Sequence, residues 1–439
     1  MLVLGLDIGS SSVKAGLLRN GKLIGGVARV PFDTDYHHDR AEVRADDILR
    51  AIGRAISDVG AGARRVEVVA LSAMAASWVA MDKRGRAITP VITHQDRRST
   101  DVAKSLIASL GRPRFLKLTG NLPFPGGISS TTWAWFNRNA RSLMRRADLV
   151  GHVQTLVHRT VTASRVVDPS HASFMGLYDV VKMRGWSEEV CALVGATEHQ
   201  LPQIVDACAV AGMVTRAAGA GFGLTHGTPM LCGCIDTSAA MLLAGARRGQ
   251  MLNVSGSTDV LALCTDDPKP HEQLLTRCLG TGRAWMSVST LAAGGTSLAW
   301  ANDQLFPDLS RDAFFKLVNQ LSREKYLDTG GVTFDPYLAG SRTDIEQRRA
   351  SFGGLTLSAT RKQMLAAIID ALARASAARV ELLRKTNSTV RIDRHVIVSG
   401  GVQGGLHNVL HRDWPGKWTY RAKAEATLRG LAVLAEGAG

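Results

Sequence analysis

The chain of 439 residues is poor in several features that mark particular classes of protein. It has no stretch of eighteen apolar residues, so it predicts no membrane-spanning helix and no membrane partner. Its beginning shows no basic leader with an apolar core, because Asp7 interrupts the first apolar run. Its six cysteines follow neither disulfide nor zinc spacing, which favours a reducing compartment. We therefore expect a soluble, cytoplasmic protein.

Aromatic residues make up only 5% of the chain, although 53 lysines and arginines against 38 acidic residues give a net charge of +15. The basic residues lie in short, dispersed clusters such as Arg145–Arg146 and Arg348–Arg349. A nucleic-acid surface would place them in one tract with stacking aromatics, whereas dispersed charge usually solvates a surface or steers anionic ligands. The sequence thus argues against nucleic acid as the main partner.

Two segments rich in glycine and hydroxyl side chains each lie between apolar runs. Residues 5–18 read GLDIGSSSVKAGLL and residues 253–263 read NVSGSTDVLAL, and both predict a strand, a turn and a second strand. Asn20-Gly21 then predicts a tight hairpin into a third strand in the first copy. Glycine allows the backbone to approach a ligand, and N–H and hydroxyl groups donate to phosphate oxygens. The predicted phosphate contacts are Gly9, Ser10, Ser11, Ser12, Gly256, Ser257 and Thr258.

The length and the 45% apolar content allow two hydrophobic cores and exceed what one core usually organises. Apolar runs that alternate with helical patterns indicate layered α/β domains. We place the boundary near Ala244, which gives a first domain over residues 1–244 and a second over 245–439. No low-complexity linker separates the halves, so we expect them to pack closely and to move about a hinge.

The chain resembles the FGGY carbohydrate kinases from Leu4 to about Glu436. Seven segments occur in the order expected of that family: GLDIGSSSVKAGLL, VITHQDRRS, VDPSHASFMGLYD, GCIDTSAAMLLAGARRGQMLNVSGST, PYLAGSR, FGGLTLSATR and VIVSGGVQGG. The resemblance implies the actin-like ATPase fold, with two RNase H-like domains that each begin with a three-stranded meander. It also implies that ATP and a sugar bind in the cleft between these domains.

Two aspartates acquire roles through this resemblance, and a nearby lysine has two possible roles. Asp236 follows an apolar strand, precedes a small-residue helix and matches the catalytic base; an aspartate there can also act only as a helix N-cap. Asp7 matches the aspartate that holds Mg²⁺, and the alternative is an ordinary turn residue. Lys14 either reaches a phosphate or stays a surface lysine.

Further glycine-rich segments resemble the parts of the family that hold the nucleotide. Gly400, Gly401 and Gln403 match its adenosine motif after the strand Val396–Val398. Gly295 lies on a loop that faces the same cleft in the family, and a structural glycine turn is the alternative there. The expected cofactors are therefore ATP and Mg²⁺.

The residues expected to contact the sugar depart from the family pattern. Ala75 and Ala76 replace the polar pair with which glycerol kinases hold glycerol, so we expect a larger ketose. Asp96 matches an aspartate of the family motif, and with Arg98 it either shapes the sugar pocket or only forms a structural ion pair, the interpretation that we favour. His94 replaces a tryptophan, and we expect it to make packing contacts.

The sequence as a whole predicts ATP-dependent phosphorylation of a sugar hydroxyl. A ketopentose or a ketoheptose (ribulose, xylulose or sedoheptulose) is the expected substrate. The alternative is a sugar- or nucleotide-responsive regulator on the same fold, which would need no catalytic base. A monomer and a homodimer both remain open.

Overall fold

The computed structural model describes residues 1–400 and 405–438, which form two compact units. The first contains residues 1–246, 264–286 and those from Glu425 onward, and the second contains residues 247–263 and 287–424. The predicted boundary at 244/245 therefore lies two residues before the point at which the chain first passes from the first unit to the second, after Ala246. It misses two segments, Cys264–Met286 and the C-terminal segment, that group with the first unit because their contacts are made there.

The main sheet of the first unit has seven strands. Their order is Val210–Met213, Pro229–Leu231, Val68–Ala73, Leu2–Ile8, Ser12–Arg19 and Lys22–Pro31, and Cys234–Ile235 also pairs with Val68–Ala73. The first three strands in the chain form the predicted antiparallel meander. Asn20 and Gly21 both have positive φ, 49° and 68°, which confirms the predicted hairpin turn.

Helices cover both faces of this sheet. Ile48, Ile52 and Ile56 recur every fourth residue on the helix Ala45–Val59, and all three are fully buried against the strands. Each such side chain contributes roughly 1.5–3 kcal/mol through burial. On the other face, Leu428 of the C-terminal helix packs among residues of Leu2–Ile8 and Val68–Ala73. The layered α/β architecture thus follows from amphipathic helices on a buried sheet.

The rest of the first unit consists of smaller elements. A second sheet has the order Asp35–His37, Arg40–Val43, Val91–Thr93, Ser77–Met81 and Leu149–Gly151; Val166–Val167 pairs with Gln203–Ile204, and Leu275–Cys278 is a further strand. The helices are Ala45–Val59, Thr100–Leu110, Arg112–Thr119, Ser129–Asn139, Arg141–Met144, Val153–Val161, Pro169–Met175, Glu188–Val194, Arg216–Phe222, Asp236–Ala244 and Ala426–Glu436, with 3₁₀ turns at Ala61–Arg65 and Glu198–Gln200.

The sheet of the second unit repeats the start of the first. Its strands run in the order Trp285–Leu291, Asp259–Thr265, Met251–Ser255, His395–Ser399 and Thr419–Ala422. As in the first unit, the first strand pairs antiparallel with the second and parallel with a later strand. Helices Gly295–Leu305, Arg311–Ser322, Arg361–Thr386 and Leu406–Leu410 and a small strand pair, Thr333–Phe334 with Phe352–Gly353, complete it. The predicted doubling is therefore present in the structure.

Within residues 1–400 and 405–438, no helix has both the length and the apolarity needed to cross a bilayer.

Candidate active site

Parallel pairing brings the ends of three strands together in the first unit. Asp7 is opposite Ser72, and Ser72 is opposite Cys234 on its other side. One residue further, Ile8, Ala73 and Ile235 are level. Asp236 follows directly, so it lies at the carboxyl edge of the sheet, where ligands bind in open α/β sheets.

Asp236 is the first residue of the helix Asp236–Ala244, and its side chain is exposed. The N-cap is Ile235, which makes no side-chain capping bond, so the alternative role of Asp236 as an N-cap is wrong. Asp236 Oδ1 accepts hydrogen bonds from the Thr237 N–H at 2.6 Å and the Thr237 hydroxyl at 2.9 Å. The carboxylate is oriented by its neighbour and favoured by the helix N-terminus, yet it remains open to solvent.

A close helix crossing fixes the helix that carries Asp236. At Gly430 of the C-terminal helix, a Cβ atom would lie 1.8 Å from the backbone oxygen of Ala239. Only glycine fits this approach, and sequence reasoning had not singled out Gly430. The contact joins residues nearly 200 positions apart, so no local pattern could have identified it.

Asp7 is buried, with 7% of its surface exposed. Its Oδ1 atom has no hydrogen-bond partner among the described residues. Burial and the nearby Asp236 carboxylate together raise the pKa of Asp7 to about 7, against the opposing effect of Lys14. A buried, unsatisfied carboxylate oxygen near a second carboxylate suits a divalent cation, which would supply the missing positive charge.

The turn that follows Asp7 is closed by a hydrogen bond from the Gly9 N–H to the Ser12 carbonyl at 3.0 Å. Ser10 and Ser11 are exposed there, whereas Gly9 and Ser12 are half-buried. Lys14 is not free to extend, because its ammonium group binds the Glu425 carboxylate at 2.8 Å. Sequence reasoning missed Glu425, which lies 411 residues away in the chain.

Asp96 lies in a buried ion pair, as the alternative prediction had it. It is 1% exposed, and its oxygens accept hydrogen bonds from the Arg98 guanidinium at 2.9 Å and from the Ala41 N–H at 2.9 Å. Arg98 also binds Glu42 and lies 5.3 Å from the centre of the Trp135 ring. These bonds favour a structural role for Asp96, and the contact of Asp96 with the sugar stays a prediction.

The two alanines predicted to face the sugar differ in exposure. Ala75 is half-buried, and Ala76 is only 1% exposed and belongs to the core. Ala75 therefore retains exposed surface, whereas Ala76 has almost none.

Three of the predicted glycine segments meet in the second unit. The Gly256 N–H donates to the Thr258 carbonyl at 2.8 Å, and the Gly256 carbonyl accepts from the Gly295 N–H at 2.9 Å. Gly400 has a φ of +106°, and a Cβ there would lie 2.2 Å from the Ser255 carbonyl oxygen. The predicted residues Gly401 and Gln403 lie outside the described residues.

A cavity of about 510 Å³ adjoins these turns within the second unit. It is lined by Gly256, Ser257, Gly295, Thr296, Ala299, Arg311, Phe315 and Leu406. This volume is in the range of small-molecule sites. Gly295 borders the cavity, and glycine is required there because a Cβ would lie 2.6 Å from the Gly256 carbonyl oxygen. Sequence reasoning missed Arg311 and Phe315, since nothing in their helix pattern marks them.

A buried polar network fixes the base of the Gly256 turn. Asp259 accepts hydrogen bonds from Asn253 at 2.7 Å and from the Ser255 hydroxyl at 2.7 Å, and it forms an ion pair with Arg379. Burial lowers the pKa of His411, which contacts Asn253, to about 4. Ser255 and Asp259, at the two ends of the turn, are thus held by hydrogen bonds and an ion pair within the protein.

Comparisons with known proteins agree on one family. The N-terminal domain model of the FGGY family of carbohydrate kinases matches residues 2–243, and the C-terminal domain model matches residues 251–436. A gluconokinase from Bacillus subtilis (strain 168) is 24% identical over 383 residues, which cover 84% of this chain and 74% of the relative. A xylulose kinase from Lactococcus lactis subsp. lactis (strain IL1403) is 25% identical over 417 residues, covering 91% and 80%.

Solved structures share the fold. The crystal structure of xylulose kinase from Rhodospirillum rubrum matches with a TM-score of 0.87 at 24% identity, covering 100% of this chain and 90% of that one. Gluconate kinase from Lactobacillus acidophilus matches with a TM-score of 0.85 at 17% identity, covering 100% and 89%. The predicted fold class is confirmed.

Proposed function

We propose, since the chain belongs to the FGGY family of carbohydrate kinases, that this carbohydrate kinase transfers the γ-phosphoryl group of ATP to a hydroxyl of a ketopentose or ketoheptose. The observation that carries the proposal is the exposed Asp236 carboxylate at the carboxyl edge of the sheet, close to the buried Asp7. Xylulose kinases among the relatives support ribulose, xylulose or sedoheptulose as the acceptor.

In the proposed reaction the Asp236 carboxylate accepts the proton of the attacking sugar hydroxyl. The hydroxyl oxygen forms a bond to the γ-phosphorus, the bond between that phosphorus and the bridging oxygen breaks, and ADP leaves. The Thr237 N–H and hydroxyl, which hold one Asp236 oxygen, leave the other oxygen for the substrate.

The residues present fit Mg·ATP. Asp7 would hold Mg²⁺ through its unsatisfied oxygen, directly or through water, and the ion would neutralise charge on the phosphates. Among the described residues no three His, Cys, Asp or Glu side chains are grouped so that they could hold a metal ion. Mg²⁺ needs few protein ligands, because it usually keeps waters and substrate phosphates as the others. Gly9, Ser10, Ser11 and Ser12, and Gly256, Ser257, Thr258 and Gly295, would contact the nucleotide.

The experiment measures ADP release with ribulose, xylulose, sedoheptulose, gluconate and glycerol as acceptors. We expect turnover with at least one of the three ketoses. Gluconate is included because a gluconokinase is among the relatives, and turnover on gluconate alone would overturn the ketose assignment. No turnover on any acceptor would favour the alternative of a sugar- or nucleotide-responsive regulator.

Asp236→Asn tests the catalytic assignment. We expect the variant to lose turnover by about 100-fold or more while it still binds ATP, since a general base contributes roughly 10²–10⁴-fold. Asp101→Asn is the matched control, because Asp101 is also an exposed acid in the first turn of a helix. Full turnover by Asp236→Asn would remove Asp236 from the reaction.

A further inference from the structure

The strand that leads to Asp236 is interrupted. Met230 pairs with Val69, and pairing to the same strand resumes only at Cys234 and Ile235. Between them Gly233 has a φ of +78°, and a Cβ there would lie 1.9 Å from the Leu71 carbonyl oxygen. A two-residue strand has few ladder hydrogen bonds, so the backbone groups of this stretch need other partners.

Buried side chains from two helices supply those partners. Gln154, from the helix Val153–Val161, donates through Nε2 to the carbonyl of Cys232 at 2.7 Å and to that of Gly233 at 3.2 Å. Ser170, from the helix Pro169–Met175, accepts a hydrogen bond from the Ile235 N–H at 3.1 Å. Gln154 and Ser170 are both fully buried, so no water replaces these bonds.

His171 holds the neighbouring strand from the same helix. Its Nε2 lies 3.1 Å from the Ala73 carbonyl oxygen and its Nδ1 lies 2.6 Å from Asp168 Oδ1. The carboxylate and the carbonyl both accept hydrogen bonds, so each ring nitrogen of His171 faces an acceptor. Asp168 in turn caps the helix by accepting from the Ser170 N–H at 2.7 Å.

These contacts converge on the residues that precede the site. Ser170 binds Ile235, which is followed by Asp236, and His171 binds Ala73, which ends its strand two residues before Ala75. Ala73 and Ile235 are also partners in the parallel register. Two consecutive residues of one helix therefore form hydrogen bonds with the backbone at the ends of two neighbouring parallel strands.

We propose that Ser170 and His171 are positioning residues that fix the acceptor side of the active site by anchoring the backbone at Ile235 and Ala73. This inference rests on the proposed function, because it assigns the anchored edge to the sugar. Displacement of a catalytic group by about 1 Å can cost on the order of 100-fold in rate. The loss of either anchor would thus appear in turnover and in the KM for sugar.

Ser170→Ala removes the anchor at Ile235, and Ser170→Thr keeps the hydroxyl. Ser173→Ala is the matched control: Ser173 is a buried serine on the same helix, and it binds the Pro169 carbonyl and the N–H of Cys278, at the end of a strand that does not lead to Asp236 or Ala75. We expect Ser170→Ala to lower kcat by about 10- to 100-fold with an unchanged KM for ATP. Ser173→Ala should lose similar thermal stability but keep its kcat, and Ser170→Thr should recover most of the rate.

His171 is tested in the same way. His171→Phe removes both hydrogen bonds of the ring, whereas His171→Gln keeps a donor of similar reach toward Ala73. We expect the phenylalanine variant to raise the KM for sugar and to lower kcat, and the glutamine variant to recover part of both. Rates are expressed per folded protein, measured by circular dichroism, so that a loss of fold is not counted as a loss of catalysis.

The outcomes separate the two proposals. Equal kcat values for Ser170→Ala and Ser173→Ala, with Asp236→Asn inactive, would overturn the positioning role and leave the proposed function intact. An active Asp236→Asn variant would instead remove Asp236 from the reaction, and a wild-type protein with no turnover on any acceptor would overturn the proposed function. If both helix variants lose rate in proportion to lost stability and Ser170→Thr restores nothing, the anchoring is structural only and the inference fails.

Discussion

The variant Gly256→Ala tests whether a bound ligand or the fold itself requires a glycine at this position. A Cβ at Gly256 would have as its nearest neighbour the Thr258 carbonyl oxygen, at 4.0 Å, and its φ lies outside the left-handed region. The protein itself thus accepts alanine, and such a change typically stabilises by about 0.4–1 kcal/mol through the unfolded chain. Gly256 nevertheless lines the cavity of the second unit.

We expect Gly256→Ala to weaken the binding of ATP and to leave the binding of sugar unchanged. A methyl group there pushes a phosphate away from the donors of the turn, and the loss of one hydrogen bond to a charged group costs about 1.5–3 kcal/mol. This corresponds to a rise of roughly 10- to 150-fold in the KM for ATP, with an unchanged KM for sugar. The assay is steady-state ADP release with ATP varied at saturating sugar, beside a thermal melt.

Two further glycines provide controls. Gly26→Ala places a methyl in open space, also outside the left-handed region, and should leave both KM values as they are. Gly295→Ala places a Cβ 2.6 Å from the Gly256 carbonyl oxygen, so it should lower stability as well as ATP binding. If Gly256→Ala keeps the wild-type KM for ATP, the turn does not hold the nucleotide and the reasoning is refuted.

Three other predictions concern buried charge. Arg379→Met leaves Asp259 without its ion-pair partner and should destabilise by about 3–5 kcal/mol in urea unfolding, whereas Arg374→Met, at an exposed pair, should change little. Burial lowers the pKa of His158 to about 4, so the unfolded chain takes up a proton first as pH falls below about 6.5. The free energy of unfolding should drop by about 2 kcal/mol between pH 6.5 and 5. His158→Gln, which keeps a donor for the Cys232 carbonyl, should lose less over that range, and equal losses would contradict the assignment of this effect to His158. The pKa of Asp7 is raised to about 7, so its ionisation destabilises the fold as pH rises from about 4 to 7. In EDTA at pH 8, the free energy of unfolding of Asp7→Asn should exceed that of the wild type by up to about 4 kcal/mol, and the two values should converge near pH 4. A difference that stays constant with pH would refute this prediction.

Much of the fold could be predicted from short patterns. The Asn20-Gly21 hairpin and the glycine-centred turn near Gly256 follow from local conformational preferences, and both are present in the structure. The repeat of strand, turn and strand indicated two similar sheets, which the strand orders bear out. These features depend on neighbours in the chain, so a single sequence was sufficient.

The division into units shows where such patterns stop being informative. The segment Cys264–Met286 runs from the second to the third strand of the second meander, and 425–438 is at the end of the chain, yet the contacts of both belong to the first unit. Leu428 illustrates the cause, because its apolar side chain is buried against the first strands of the chain. An amphipathic helix specifies that it needs an apolar surface, but not which of two sheets provides it.

The same distinction applies to the site. The sequence by itself determined which residues can do chemistry there: the two aspartates Asp7 and Asp236 and the glycine turns, because strand, turn and helix signals are local. Only the tertiary structure decided that Asp96 pairs with Arg98 and that Lys14 pairs with Glu425. The hydrogen bond from the Ile235 N–H to Ser170 was likewise decided there. Those pairings depend on which side chains meet after the chain has folded, and burial raises the cost of a polar group that finds no partner.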